Sequence, residues 1–309
     1  MRYTSVSHSI KSTDGVHTLN GVIFMPIGTP KATVQIIHGM CEHIELYESF
    51  MSFLAENGYA VFAHDQLGHG TTAGNTDELG FIAAGNGSEL LVSDSHKFAE
   101  EFLLDFKGIK HFVFGHSMGS FIARICEDMY HEMTDGIILA GTSGVQRAAP
   151  IGIAVTDIKS RVQGSEHRSQ SAQRMFFEYY NHEFRKEKKD YSWLSSDPDV
   201  ISAHECDKLF NFTYSVSTMN DVVRLCKQCS CDDWFDRYRA NCPALIISGE
   251  HDPLGNFGKG VLEMYKRLKE IPDSDITFKL YRGARHELLN ERCKAEVIGD
   301  ILRWLESRV

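Results

Sequence analysis

Five consecutive residues, Gly115-His116-Ser117-Met118-Gly119, set a serine between two glycines in the pattern G-x-S-x-G. With Gly and Ser at about 7–8% each, a chain of this length contains that pattern by chance with a probability on the order of a tenth. Its surroundings give it weight. The run HFVF (residues 111–114) leads directly into it and an amphipathic stretch follows, the strand–turn–helix that lifts a serine hydroxyl out as a nucleophile. The chemistry this offers is attack on an acyl carbonyl. Such a hydroxyl needs a base for its proton, an acid to orient that base, and two N–H donors for the oxyanion.

Each of these partners has a place in the chain. The turn directs the Met118 amide and a helix N-terminus toward the seryl oxygen, where negative charge develops. The second donor is expected from the loop after an earlier strand. Here that loop is His38-Gly39-Met40-Cys41-Glu42-His43, directly after ATVQII. We assign the donor to the backbone N–H of Met40, with Gly39 allowing the chain to turn. The acid and then the histidine should follow, each on a loop after a strand. After ALIIS comes Gly249-Glu250-His251-Asp252-Pro253. Asp252 is the expected acid because Pro253 restricts it to an extended or turn conformation; Glu250 is the alternative. After ITFKLY comes Arg282-Gly283-Ala284-Arg285-His286-Glu287. Among fifteen histidines, His286 is singled out as the base by lying on the loop before the last helix.

The elements that must position these groups are legible as alternation. Residues 32–37, 59–63, 111–114 and 136–140 read as buried strands, with helical patterns at 45–57, 88–106 and about 120–131 between them. In the last of these, Phe121, Ile122, Ile125 and Met129 share one face. Strand and helix in succession imply a mainly parallel α/β sheet with helices on both faces. From about 142 to 240 no strand-like run occurs. The segment is rich in aromatics (MFFEYY, YSWL, FNFTY, DWFDRY), and its charge run at 185–190 reads as a solvated turn. Alternation resumes with a strand at 244–248, a helix at 258–268, a strand at 276–281 and a closing helix carrying Val297, Ile298, Ile301, Leu302 and Leu305. The expected division is therefore a core of residues 1–141 and 241–309, interrupted by a helical cap at 142–240.

Composition narrows the class. A hydrophobic fraction of 42% and a charged fraction of 24% fit a globular protein, and a net charge of −10 argues against nucleic-acid binding. The N-terminus lacks the apolar stretch of a signal peptide, and no apolar run approaches the ~20 residues of a membrane span. Eight cysteines at irregular spacings then suggest reduced thiols and a cytoplasmic location. Cys226, Cys229 and Cys231 form C-x-x-C-x-C, which reads as a helix end rather than a zinc site lacking a clear fourth ligand. No metal or organic cofactor is expected.

Several longer motifs carry a resemblance. The chain resembles the monoacylglycerol lipase and lysophospholipase group of α/β-hydrolases, sometimes filed with serine aminopeptidases. The likeness runs over nearly the whole core. It rests on HGMCEH with Tyr47, VFAHDQLGHG (61–70), GHSMGS, SGEHDPLGN (248–256) and RHELLNE (285–291). It implies an eight-stranded sheet with the cap after the sixth strand, and an acyl-ester substrate. Cys41 departs from the small residue such enzymes often have, and Thr71-Thr72 from the usual serine. The cap aromatics read either as walls of an acyl groove or, more simply, as the cap's own core. Residues 148–155 (AAPIGIAV) suggest a lid making transient contact with a membrane or micelle. Three functions follow: hydrolysis of monoacylglycerol, lysophospholipid or related esters; amide hydrolysis by the same triad; or a silent, hydrolase-shaped binding protein, disfavoured because every catalytic position is filled.

Overall fold

The computed structural model describes residues 3–146 and 149–309. Eight strands form one sheet: β1 (Tyr3–Lys11), β2 (Thr18–Pro26), β3 (Ala32–Ile37), β4 (Tyr59–His64), β5 (His111–His116), β6 (Gly136–Ala140), β7 (Ala244–Gly249) and β8 (Ile276–Tyr281), in spatial order β1-β2-β4-β3-β5-β6-β7-β8. The strands from β3 onward are parallel, while β1, β2 and β4 pair antiparallel. Every residue of β3 to β7 is buried. That burial on both faces is why these strands read as continuous apolar runs.

The helices are α1 (Glu48–Glu56), α2 (Gly87–Leu103), α3 (Met118–Met129), α4 (Ala149–Gln163), α5 (Gln170–Tyr180), α6 (Pro198–Cys206), α7 (Val216–Ser230), α8 (Asp232–Arg237), α9 (Lys259–Lys269) and α10 (Lys294–Glu306). Phe98 of α2, Phe121 of α3 and Met264 of α9 pack on one face of the sheet. Phe50 of α1 and Trp304 of α10 pack on the other. Helices α4 to α8 all fall between β6 and β7.

Two readings need correction. The stretch expected as one helix at 45–57 divides into a 3-10 turn, Ile44–Tyr47, followed by α1. The α3 region was expected to show one apolar face, yet Met118 to Glu127 are all buried and Met129, at its end, is 52% exposed. The reason is that α7 packs across the outer side of α3. The buried Arg124 of α3 donates to the carbonyls of Ser143 and Cys229 and lies 4.0 Å from the Trp234 ring centroid. Cys229 is in the last turn of α7, so the guanidinium meets the negative end of that helix rather than a carboxylate.

Candidate active site

The four loops named from the sequence leave the carboxyl ends of β3, β5, β7 and β8, the edge where open parallel sheets bind ligands. At the end of β5 the chain reverses through Ser117, whose φ of 52° and ψ of −120° are rare for a residue with a side chain. The glycines make the turn sterically available. A Cβ on Gly115 would lie 2.4 Å from the Gly119 carbonyl oxygen, and one on Gly119 would lie 2.0 Å from that of Ile37. Gly119→Ala is therefore expected to destabilise the fold at the upper end of the ~1–3 kcal/mol typical of overpacking. Gly85→Ala, which meets nothing within 4 Å, should be neutral by comparison; urea unfolding of the two variants checks this. Met118 opens α3, so its amide is among those with no intrahelical carbonyl.

The loop after β3 lies against this elbow: a Cβ on Gly39 would come within 3.0 Å of Ser117 Cβ. Residues 39–42 form a turn closed by the Glu42 amide donating to the Gly39 carbonyl at 3.3 Å, with Cys41 at φ 69°. That positive φ is a backbone conformation that favours glycine, and Cys41 adopts it here. The Gly39 amide is occupied by the Glu42 carboxylate. The next amide along is Met40, and Met40 lines the same cavity as Ser117, Met118 and His286. Thr71 and Thr72 also find partners. The Thr71 hydroxyl and amide donate to Asp65, and Thr72 accepts from the Asn20 amide.

The acid and base loops are stapled together. The Glu250 and His251 amides donate to the Tyr281 and Ala284 carbonyls at 3.0 and 2.9 Å. The structure brings His286 Nδ1 to 3.0 Å from Asp252 Oδ2, with both side chains buried. Asp252 Oδ1 accepts from the Leu254 amide at 2.9 Å. Glu250 is exposed and accepts instead from the Gly283 amide. Of the two candidate acids, only Asp252 therefore meets the imidazole. On its other sides the His286 ring is flanked by Trp193 at 4.7 Å and His116 at 4.8 Å.

Sequence reasoning named RHELLNE without seeing what its charges do. Arg285 pairs with Glu187 at 2.6 Å, and its guanidinium lies 4.1 Å from the Phe184 ring centroid. Glu287 meets His204 of α6 at 2.7 Å. Burial alone would raise the Glu287 carboxyl, but the His204 contact more than offsets this and holds it below the usual range. Glu291 accepts from the Ser196 and Arg285 amides, each at 2.8 Å. Together these side chains clamp the base loop to residues 187–204. The acidic spacing after the histidine was the available signal, but nothing local gave the partners. Cys226 and Cys229 lie toward the end of α7, and Cys231 follows it. All eight cysteines are free, and no group of three metal-ligating side chains occurs among the described residues.

The cavity above Ser117 is walled mainly by aromatic and aliphatic side chains, including Phe121, Phe177, Tyr191, Trp193 and Phe210. Tyr191, Trp193, Phe210 and Tyr214 also pack on one another as a separate small core, so the same aromatics both wall the cavity and form a core of their own. The sheet order and the helices inserted after its sixth strand place the protein among α/β-hydrolases, a likeness that solved structures share. A carboxyl esterase from Bacillus coagulans, solved in complex with glycerol, superposes with a TM-score of 0.92 at 27% identity, covering 99% of both chains. The family model described as Serine aminopeptidase, S33 matches residues 28–293, and the chain belongs to that family. Rat monoglyceride lipase is 25% identical over 305 residues, spanning 92% of this chain and 85% of its own. A soluble variant of the monoglyceride lipase of Saccharomyces cerevisiae, in complex with a substrate analog, has the same fold at 19% identity, with a TM-score of 0.78 over 100% of this chain and 96% of its own. This is a hydrolase of the lipase and esterase type.

Proposed function

We propose that Ser117, His286 and Asp252 form a catalytic triad that hydrolyses carboxylic esters with an apolar acyl group, of the monoacylglycerol or lysophospholipid kind. The observation that carries this reading is the apolar cavity that Ser117 and His286 line together, with Asp252 buried behind the imidazole. His286 takes the Ser117 proton through Nε2 as Oγ attacks the acyl carbonyl. Asp252 holds the Nδ1–H tautomer and stabilises the imidazolium. The Met40 and Met118 amides bind the oxyanion. The alcohol departs with the proton from His286, and water activated by the same imidazole then releases the acid. In this reading residues 142–240 act as a cap that shapes the acyl site. Four exposed residues of α4, Ile151, Val155, Ile158 and Val162, recur at helical spacing. They support transient contact with a lipid surface. Of the stretch 148–155 behind that expectation, Ala148 lies outside the described residues. None of the described helices is long and apolar enough to cross a membrane.

The family description makes amide hydrolysis the second reading. Recognising a peptide amino terminus calls for a carboxylate with spare capacity. The two carboxylates lining the cavity, Glu42 and Glu287, each already face a histidine at 2.7 Å. The test compares p-nitrophenyl esters of rising chain length with aminoacyl anilides. Ester turnover should rise from acetate to medium-chain esters and exceed anilide turnover by more than about a hundredfold. Cleavage of anilides with esters ignored overturns the proposal.

A further inference from the structure

Behind Ser117 lies a buried ion pair that the ester chemistry does not consume. His116 Nδ1 sits 2.7 Å from Glu42 Oε1, and both side chains are almost wholly removed from solvent. His116 Nε2 lies 3.3 Å from the backbone carbonyl oxygen of His286. The second Glu42 oxygen, Oε2, accepts from the Tyr47 hydroxyl at 2.6 Å and from the Gly39 amide. Each contact falls next to a member of the proposed site. Gly39 precedes Met40, His116 precedes Ser117, and the carbonyl belongs to His286 itself.

We propose that Glu42 and His116 are a positioning pair, a buried carboxylate–imidazolium bridge that keeps the Met40 loop and the His286 main chain in register with the Ser117 elbow. The inference rests on the triad reading given above. Its physical core is charge and donor arithmetic. A neutral imidazole has one N–H and no charge; only the imidazolium can both pair ionically with Glu42 at 2.7 Å and donate from Nε2 to the His286 carbonyl. The bridge is complete only while His116 is charged.

The surroundings favour that state. Burial pulls His116 down, but the Glu42 charge and hydrogen bond outweigh it and raise the imidazole to about 9. Glu42, pushed up by burial and pulled down further by His116, falls to about 2. The other titratable groups facing the pair are His38 and Cys41 from the β3 loop, Tyr47 from the turn before α1, His69 from the loop after β4, His204 of α6, Tyr214 before α7, and His286 and Glu287 from the β8 loop. His38 is held neutral, its value lowered by burial to about 4. The sign follows. His116 is raised in the fold, so the bridge is intact at neutral pH and fails as pH climbs through about 9.

Glu42→Gln keeps the size and an acceptor oxygen but removes the charge that keeps His116 protonated. With p-nitrophenyl butyrate, kcat should fall roughly 10- to 100-fold, the scale of a small misplacement of reacting groups, with KM within about twofold. The wild-type decline in kcat near pH 9 should be lost from the variant. An unchanged kcat overturns the proposal, and so does a lower kcat with the alkaline decline still in place, since a merely structural role would leave that profile unmoved. Nitrogen-15 histidine NMR of the wild-type protein needs no variant. His116 should carry protons on both ring nitrogens at pH 7.5, and a neutral ring refutes the bridge even if Glu42→Gln does not fold. The NMR readout does not hinge on Ser117. Survival of activity in Ser117→Ala would refute the triad while leaving the NMR signature in place.

Discussion

Ser117→Ala is expected to lower kcat/KM for p-nitrophenyl esters by more than about a thousandfold while the protein stays folded. The change removes a single oxygen. The backbone at 117 keeps its bond from the Ser117 amide to the Ala140 carbonyl and accepts from the Ser120 amide as before. Alanine tolerates φ 52° no better or worse than serine, so the strain of the elbow is unchanged. What disappears on the proposed mechanism is the acyl-enzyme, leaving only the residual rate that oxyanion donors and binding supply. Fluorophosphonate labelling should vanish with the activity, and the thermal unfolding curve should overlay the wild type. Ester turnover above about a thousandth of wild type would show that another group attacks, and would remove the basis for placing the triad here.

The parallel strands were legible because burial on both faces forces apolar, β-branched runs of about six residues bounded by turn formers. The edge hairpin was not. Most side chains of β1 are exposed, so YTSVSHSIK shows neither an apolar run nor a clean alternation. The candidate site was legible to the extent that the fold strings it along loops. Gly115, Gly119 and Gly39 mark turns where a Cβ has no room, and Asp252 and His286 follow strands in the required order.

What the sequence hid is long-range. The bond between His204 and Glu287 spans 83 residues, and no local pattern reports which buried histidine meets which carboxylate. The same limit explains α3. Arg124 and Glu127 are buried because Cys229 in α7, Trp234 in α8 and Arg239 cover them, and all three lie in the segment where no strand-like run marks the elements. The aromatics there serve at once as a small core and as the cavity wall, a double use that composition suggests but does not resolve.

Asp252→Asn is expected to lower kcat by on the order of 10⁴ with little change in KM, whereas Glu250→Gln should stay within about threefold of wild type. The asymmetry follows from tautomers. Asp252 Oδ2 accepts from His286 Nδ1 while Oδ1 accepts from the Leu254 amide. In the asparagine variant, keeping the oxygen on Leu254 turns the amide N–H₂ toward Nδ1. Nδ1 must then be the acceptor, which leaves the proton on Nε2, the atom that has to receive it from Ser117. The variant also loses the charge that balances the imidazolium. Glu250 touches neither atom; it is exposed and holds only the Gly283 amide at 3.1 Å. Steady-state kinetics of both variants, with thermal melts as controls, decide between the two loop carboxylates. If Glu250→Gln were the crippled enzyme and Asp252→Asn the active one, the acid would have to be reassigned, and the buried contact at 3.0 Å would be structural.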